Sequence, residues 1–243
     1  MKSFNNISRN ECLKVFPKIY VSANRKWKSA INLSKTEDYS SATFLMITCI
    51  EEYLKATILA LDGSGFRFRS IKGVEGMFRN HSLRYPVIYL FHIMASSFEY
   101  SESMMKKKGL FRKILFSIKR YNEASSNLKW YANLDCLRER ALYSNLDDNI
   151  LKLPESIDRK EFILIEKKLN KVRYAFYSVL FLLNPEVKRL QKEKKEFKQA
   201  LNTMVNELGL YSSLEEQLSL IRKNGYSSNH LQTLIKVYNS NKP

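Results

Sequence analysis

Glycine and proline are scarce in this chain, and that scarcity limits its possible folds more than any other feature. Seven Gly and five Pro occur in 243 residues, so long stretches contain no residue that breaks a helix. Sandwiches and barrels need frequent tight turns, which these two residues supply. We therefore predict an all-α protein. The hydrophobic content of 44% is enough for a substantial core in a chain of this length.

Hydrophobic periodicity divides the chain into a main helical domain and a C-terminal appendage. Helices are predicted over about residues 16–34, 39–61, 82–100 and 158–183, with a basic helix over 101–120 and a short element over 131–146. Pro17 would then occupy a first helical turn. Residues 66–80 are predicted to form a loop with one short turn of helix, and the surroundings of Pro154 are predicted to be a loop. We predict a helical domain over residues 1–185 and a basic helical extension over 186–243, because the composition changes after Pro185.

Cysteine spacing and the length of apolar runs point to a cellular compartment. Cys12, Cys49 and Cys136 are odd in number and far apart, which fits neither a disulfide framework nor a zinc site. The first residues contain no apolar core of a signal peptide, and the run 174–183 is too short to cross a membrane. We predict a cytoplasmic protein without a membrane partner.

The formal net charge of +17 favours polyanionic partners such as RNA, DNA or an acidic protein. A basic surface kept for solubility is an equally good reading of the charge alone. The stretch 188–198 contains Glu193 and Glu196 among its lysines, as in an ordinary solvated helix. One basic cluster has no such compensation, and we predict that it contacts RNA phosphates: Lys106, Lys107, Lys108, Arg112 and Lys113.

The second helix carries charges in an almost wholly apolar setting. Glu51 and Lys55 fall on the same arc as Phe44, Ile47 and Ile58 at 100° per residue. An exposed Glu–Lys pair at this spacing is the ordinary alternative, and it would contribute only about 0.3–0.5 kcal/mol. Because buried charge is costly, it is commonly kept for a polar network or a functional site. We predict a buried polar group that includes Glu51 and Lys55.

Two further polar patches could join the same site. His81 opens the third helix and could act as a base or as a helix cap. Arg138 and Tyr143 are about 140° apart on a helix, so they converge only if a helix begins or ends between them. An amphipathic turn is the ordinary alternative there, and His92 has the setting of a packed core residue. No histidine spacing is typical of a metal site, so we predict no metal and no cofactor.

Taken in chain order, three segments resemble the AbiV family of abortive-infection proteins within the HEPN superfamily of helical bundles. They are 30–42 with Glu51-Glu52-Tyr-Leu-Lys55, the His81 segment, and 137–143, and the resemblance extends over about residues 17–183. It implies a HEPN-like bundle, a homodimer and a metal-independent endoribonuclease that acts on RNA or translation to halt phage infection. It also implies activation by a phage-encoded protein.

The resemblance further implies a catalytic site. Its residues would be Glu51, Glu52, Lys55, His81, Arg138 and Tyr143, with Arg140 as an alternative to Arg138. RNA cleavage needs a base for the ribose 2′-OH, cations for the phosphorane charge and a proton donor for the 5′-oxygen. His81 or Glu51 would be the base, Lys55 and Arg138 the cations, and Tyr143 a donor or a positioning group.

Tyr143 departs from the superfamily pattern, in which an arginine is followed four to six residues later by a histidine. This favours an alternative function, a non-catalytic module that sequesters RNA, a ribosomal component or a phage protein. A third reading is a structural protein in which the charges of the second helix merely pair.

Overall fold

The computed structural model describes residues 4–81, 83–85, 87–89, 91, 130–131, 133–142 and 157–184, the backbone of 145–147 and 150–152, and residues 194, 195, 199 and 202. The all-α prediction is confirmed. Among the described residues, the α-helices used below are Arg9–Lys35 (α1), Tyr39–Gly63 (α2), Gly76–Arg79 (α3), residues 81, 83–85, 87–89 and 91 (α4), Leu134–Leu142 (α5) and Arg159–Leu183 (α6), and short 3₁₀ helices occur at Phe4–Asn6 and Phe68–Ser70. Several predictions concern parts of the chain outside the described residues: the 101–120 helix, His92, Tyr143, Pro154 and nearly all of the 186–243 extension.

A capping box starts α1 earlier than hydrophobic periodicity indicates. The Ser8 hydroxyl accepts the Glu11 N–H at 3.2 Å, and the Glu11 carboxylate accepts the Ser8 N–H at 2.7 Å. These two bonds satisfy backbone donors that would otherwise be unpaired at a helix start. The predicted start near residue 16 was therefore wrong, and Pro17 lies inside the helix rather than in its first turn.

Helix α2 is the centre of the bundle. Asp38 caps its N-terminus by accepting the Ser41 N–H at 3.1 Å, and the helix ends at Gly63, close to the predicted Leu61. Sixteen of its 25 residues are buried, because it packs against α1, α5 and α6. The Tyr53 ring, for example, stacks on Phe176 of α6 with centroids 6.4 Å apart. A helix that is apolar nearly all round is buried in this way, so any charge it carries must find partners inside.

An ion pair between a buried carboxylate and a partly exposed arginine closes one end of the bundle. Asp62, at the end of α2, is paired with Arg69, whose Nε donates to both carboxylate oxygens at 3.1 Å. Arg69 also donates from Nη1 to the Ile7 carbonyl at 3.0 Å. The pair thereby ties the loop after α2 to the segment that precedes α1.

Gly63 allows α1 and α2 to approach closely at this end. A Cβ at residue 63 would lie 2.7 Å from Leu13 Cγ and 3.1 Å from the Arg9 carbonyl oxygen. We expect Gly63→Ala to lower the free energy of unfolding by about 1–3 kcal/mol, as overpacking does. Without the clash, the same change would raise it by about 0.4–1 kcal/mol. Urea unfolding followed by circular dichroism decides the sign, and a stabilised variant would contradict the close approach.

The second half of the described chain contains α6 and a small hairpin. Asp158 caps α6 by accepting the Glu161 N–H at 2.8 Å, and the helix ends at Leu183, as predicted. The strands Asn145–Asp147 (β1) and Ile150–Lys152 (β2) pair antiparallel, with Leu146 opposite Leu151. This hairpin was not predicted, because strands of three residues are too short to show a period. In the part of the chain that the structure describes, no helix has the length and apolar character needed to cross a membrane.

Candidate active site

A single buried carboxylate organises the polar interior of the bundle. Glu51 of α2 is 1% exposed. Its Oε1 accepts the Tyr85 hydroxyl at 2.6 Å, its Oε2 lies 2.8 Å from His81 Nδ1, and it forms an ion pair with Arg84. These three partners occupy positions i, i+3 and i+4 of α4, which lie on one helical face. One face of α4 is thus directed at one carboxylate of α2.

Arg84 is held in place by the backbone as well as by Glu51. The side chain is buried, its Nε donates to the Met77 carbonyl at 2.7 Å, and its Nη2 donates to the Phe78 carbonyl at 3.0 Å. Both acceptors belong to α3. Since these bonds and the ion pair fix the guanidinium, Arg84 acts as the internal counter-ion of Glu51.

Arg138 of α5 brings a second guanidinium to the histidine. Its Nη1 lies 3.1 Å from His81 Nδ1, and its Nη2 donates to Asp135 Oδ1 at 2.9 Å. Asp135 is one turn earlier on α5, so this i,i+3 pair orients the guanidinium. Arg138 is partly exposed, unlike Arg84. It is therefore the arginine of this group that a ligand at His81 could reach.

The charge of Glu51 follows from its partners. Burial raises the pKa of this carboxyl, but the hydrogen bonds from Tyr85 and His81 and the charge of Arg84 outweigh burial, so its pKa lies below the ordinary 4.5. Burial, reinforced by the neighbouring Glu51 charge, raises the pKa of Tyr85, which keeps this phenol a donor. Glu51 is consequently an ionised acceptor held by three donors.

The ionised state of Glu51 determines the tautomer of His81. A carboxylate oxygen 2.8 Å from Nδ1 requires a proton on that nitrogen. Neutral His81 then carries its lone pair on Nε2, and the guanidinium nitrogens near Nδ1 are neighbouring charges rather than donors to it. Within the described part of the chain Nε2 has no hydrogen-bond partner, and 40% of the side chain is exposed. A carboxylate-oriented histidine with an accessible Nε2 is the arrangement of a general base.

The structure separates two of the predicted residues from this group. Lys55 Nζ lies 2.8 Å from Glu52 Oε1, and both side chains are partly exposed. The prediction that Lys55 is buried beside Glu51 was therefore wrong. Pairing with Glu52 leaves the ammonium partly hydrated, whereas burial beside Glu51 would have required its full desolvation.

Three residues of the cluster were missed: Arg84, Tyr85 and Asp135. The sequence held a signal for the first two, because His81, Arg84 and Tyr85 have the spacing of one helical face. Arg140, the alternative to Arg138, forms its ion pair with Glu161 of α6 instead.

No group of three or more His, Cys, Asp or Glu in the described residues is arranged to hold a metal ion. The comparisons with known proteins gave one match. The family model HEPN_AbiV, described as AbiV, matches residues 11–171, which is more than half of the chain and includes all of the cluster around Glu51. No curated protein and no solved structure matches the chain.

Proposed function

The chain belongs to the AbiV family of HEPN proteins, and from this premise we propose that it is an antiphage abortive-infection effector that cleaves RNA without a metal. The observation that carries the proposal is the Glu51–His81 pair, in which a buried carboxylate holds Nδ1 and leaves Nε2 accessible. A homodimer, a phage-encoded activator and a cytoplasmic location belong to the same proposal, since the family resemblance implies the first two and the sequence indicates the third.

The proposed reaction uses the ribose as its own nucleophile. His81 Nε2 removes the proton of the 2′-OH, and the 2′-oxygen forms a bond to the adjacent phosphorus. The bond from phosphorus to the 5′-oxygen breaks, and that oxygen takes up a proton. The products are a 2′,3′-cyclic phosphate and a 5′-hydroxyl, so water is not consumed in this step. Tyr143 is the residue predicted to supply or position the proton.

His81 suits the role of base better than Glu51. Glu51 is buried, and three donors already occupy its oxygens, so it cannot reach a ribose. Its negative charge stabilises the imidazolium that forms when His81 accepts a proton, as the carboxylate of a catalytic triad does. Glu51 is thus a positioning residue.

Arg138 is the cation best placed to stabilise the charge that develops on the phosphorane oxygens. It is partly exposed, lies next to His81, and is oriented by Asp135. Removing one such oriented donor from other active sites costs roughly 10²–10³ in kcat. Lys55 pairs with Glu52 outside this group, so of the two predicted cations only Arg138 keeps the role in this proposal.

Arg138→Ala tests the proposal against a matched control on the same helix. We expect RNA cleavage by the purified full chain to fall by about 10²-fold or more. Arg140→Ala removes an arginine from the same helix whose ion pair points to α6, and cleavage should stay near the wild-type rate. Total RNA and tRNA serve as substrates, with circular dichroism to confirm folding. Equal cleavage rates for the two variants would contradict the role assigned to Arg138.

The non-catalytic alternative rests on Tyr143, which stands where the superfamily has histidine. A protein of that kind would bind RNA with a strong salt dependence and release it uncut. Growth arrest on expression, unchanged by Arg138→Ala at equal protein level, would favour it over the endoribonuclease.

A further inference from the structure

Helix α6 presents a row of aromatic rings to solvent. Tyr174 is 58% exposed and Tyr177 is 47% exposed, and Phe181 continues the row one turn later. The Tyr177 and Phe181 rings are nearly parallel, with an interplanar angle of 17° and centroids 6.3 Å apart. Tyr20 of α1 lies beside them, its ring centroid 6.5 Å from that of Tyr177. Large apolar rings exposed in one contiguous group usually mark a binding surface.

A cation is fixed at the edge of this row. The Arg173 guanidinium carbon lies 4.5 Å from the centroid of the Trp27 ring and 5.3 Å from that of Tyr174. Placement over two rings restrains a side chain that would otherwise be mobile. The surface therefore combines ring faces with an oriented positive charge.

The charges at the exposed positions of α6 are all basic. They are Arg159, Lys160, Lys167 and Lys171. The two acidic residues of the helix are less exposed, and Glu161 is already paired with Arg140. A polyanion complements this surface, whereas a second copy of the chain would bring further positive charge to it.

We propose that this aromatic and basic face of α6 binds single-stranded RNA, with bases stacked on Tyr174, Tyr177 and Phe181 and phosphates paired with Lys167 and Lys171. Single strands expose the faces of their bases, and proteins bind them by combining basic side chains with aromatic platforms. A duplex hides those faces and would use only the charges. The inference deepens the proposed function, on which it rests for the choice of RNA as the polyanion.

The test separates stacking from general apolar contact. One variant carries Tyr174→Leu, Tyr177→Leu and Phe181→Leu, which keeps the face apolar and removes the rings. Its matched control carries Tyr174→Phe and Tyr177→Phe, which keeps them. The probe is a short fluorescein-labelled single strand with 2′-methoxy groups, because it cannot be cleaved by attack of a 2′-OH. We expect fluorescence anisotropy to show binding weakened tenfold or more by the leucine variant, on the order expected when base stacking is removed. The phenylalanine control should bind as the wild type does.

A charge variant tests the second half of the proposal. Lys167→Gln with Lys171→Gln should make binding less salt-dependent, by about 0.7 in the slope of log K against log salt for each phosphate that is no longer neutralised. A duplex of the same length should bind the leucine variant and the wild type equally.

The outcomes of these measurements distinguish a failure of this inference from a failure of the proposed function. Equal single-strand binding by the leucine variant and the wild type removes the stacking role. If light scattering shows a wild-type dimer that the leucine variant cannot form, with RNA affinity unchanged, the face belongs to a second copy. Ring-dependent binding without any cleavage of natural RNA keeps this surface and rejects the endoribonuclease. If natural RNA is cleaved and the leucine substitutions leave the KM unchanged, the endoribonuclease is supported and this surface is rejected.

Discussion

His81→Ala is expected to reduce RNA cleavage by roughly 10²–10⁴-fold, the range that general acid–base catalysis supplies. The loss should appear in kcat, because in the proposed reaction the imidazole accepts the proton of the 2′-OH. Folding should be retained, since Glu51 keeps its ion pair with Arg84 and its hydrogen bond from Tyr85. Single-turnover cleavage of a defined RNA by the full chain measures the effect.

A second substitution distinguishes the loss of the basic nitrogen of His81 from the loss of its hydrogen bond to Glu51. His81→Gln retains an N–H group that can donate to Glu51 but has no basic nitrogen. If His81 acts as the base, the glutamine variant is as inactive as the alanine variant. If cleavage survives in either variant to within a few fold of the wild type, another group is the base. Binding of uncleavable RNA should be preserved in both, because the α6 face is untouched.

The place of Glu51 in the interior could be predicted from the sequence, but its partners could not. A charge in a helix that is apolar on nearly every side has to be buried, and Glu51 is. Lys55 lies on the same side of α2 as Glu51, so the sequence favours Lys55 as the partner of Glu51. In the fold, α4 supplies a histidine, an arginine and a tyrosine to the same carboxylate, and Lys55 turns to Glu52. Helical spacing describes one helix, whereas the choice of partner depends on how two helices pack.

His81 and Arg138 were predicted from the family resemblance rather than from helical spacing. Neither belongs to a decisive motif, and the order of the three family-like segments brought them together. The structure places Arg138 Nη1 3.1 Å from His81 Nδ1, although 57 residues separate them in the chain. The role of Asp135 could not be predicted from the sequence. An acidic residue three positions before an arginine is common on exposed helices, and it does not indicate which group the arginine contacts.

The starts of α1 and α6 show that capping residues can set a helix boundary that hydrophobic periodicity does not predict. The Ser8–Glu11 capping box sets the start of α1 by two hydrogen bonds, and apolar spacing alone places that start several residues late. At α6 the cap residue Asp158 stands directly before the periodic stretch, so both signals agree and the predicted helix is confirmed.

Glu51→Gln is expected to cause the largest loss of stability among single substitutions at the site. The amide has the shape of the carboxylate but no charge, and it leaves Arg84 buried without a counter-ion. Breaking a buried ion pair from one side costs about 3–5 kcal/mol. The free energy of unfolding from urea titration at neutral pH measures the loss. Glu52→Gln is the matched control, because the adjacent Glu52–Lys55 pair is partly exposed and such pairs contribute about 0–1 kcal/mol.

The stability lost in Glu51→Gln should depend on pH in a defined direction. The folded-state pKa of Glu51 lies below its ordinary value of 4.5, so ionisation of this group stabilises the wild type above pH 4.5. That contribution disappears as the pH falls through the folded-state pKa. The difference between wild type and Glu51→Gln should therefore be full at neutral pH and shrink in acid. A difference that stays constant across this window would mean that the cost comes from packing rather than charge.

A double variant distinguishes a broken charge pair from a damaged core. Arg84→Met with Glu51→Gln removes both buried charges while keeping two side chains of similar volume. Because an unpaired buried charge is costlier than a neutral pair, we expect the double variant to be more stable than Glu51→Gln alone. It should still fail to cleave RNA, since His81 has lost the carboxylate that stabilises its protonated form. If the double variant is less stable than either single variant, Arg84 stabilises the fold mainly through its hydrogen bonds to the Met77 and Phe78 carbonyls.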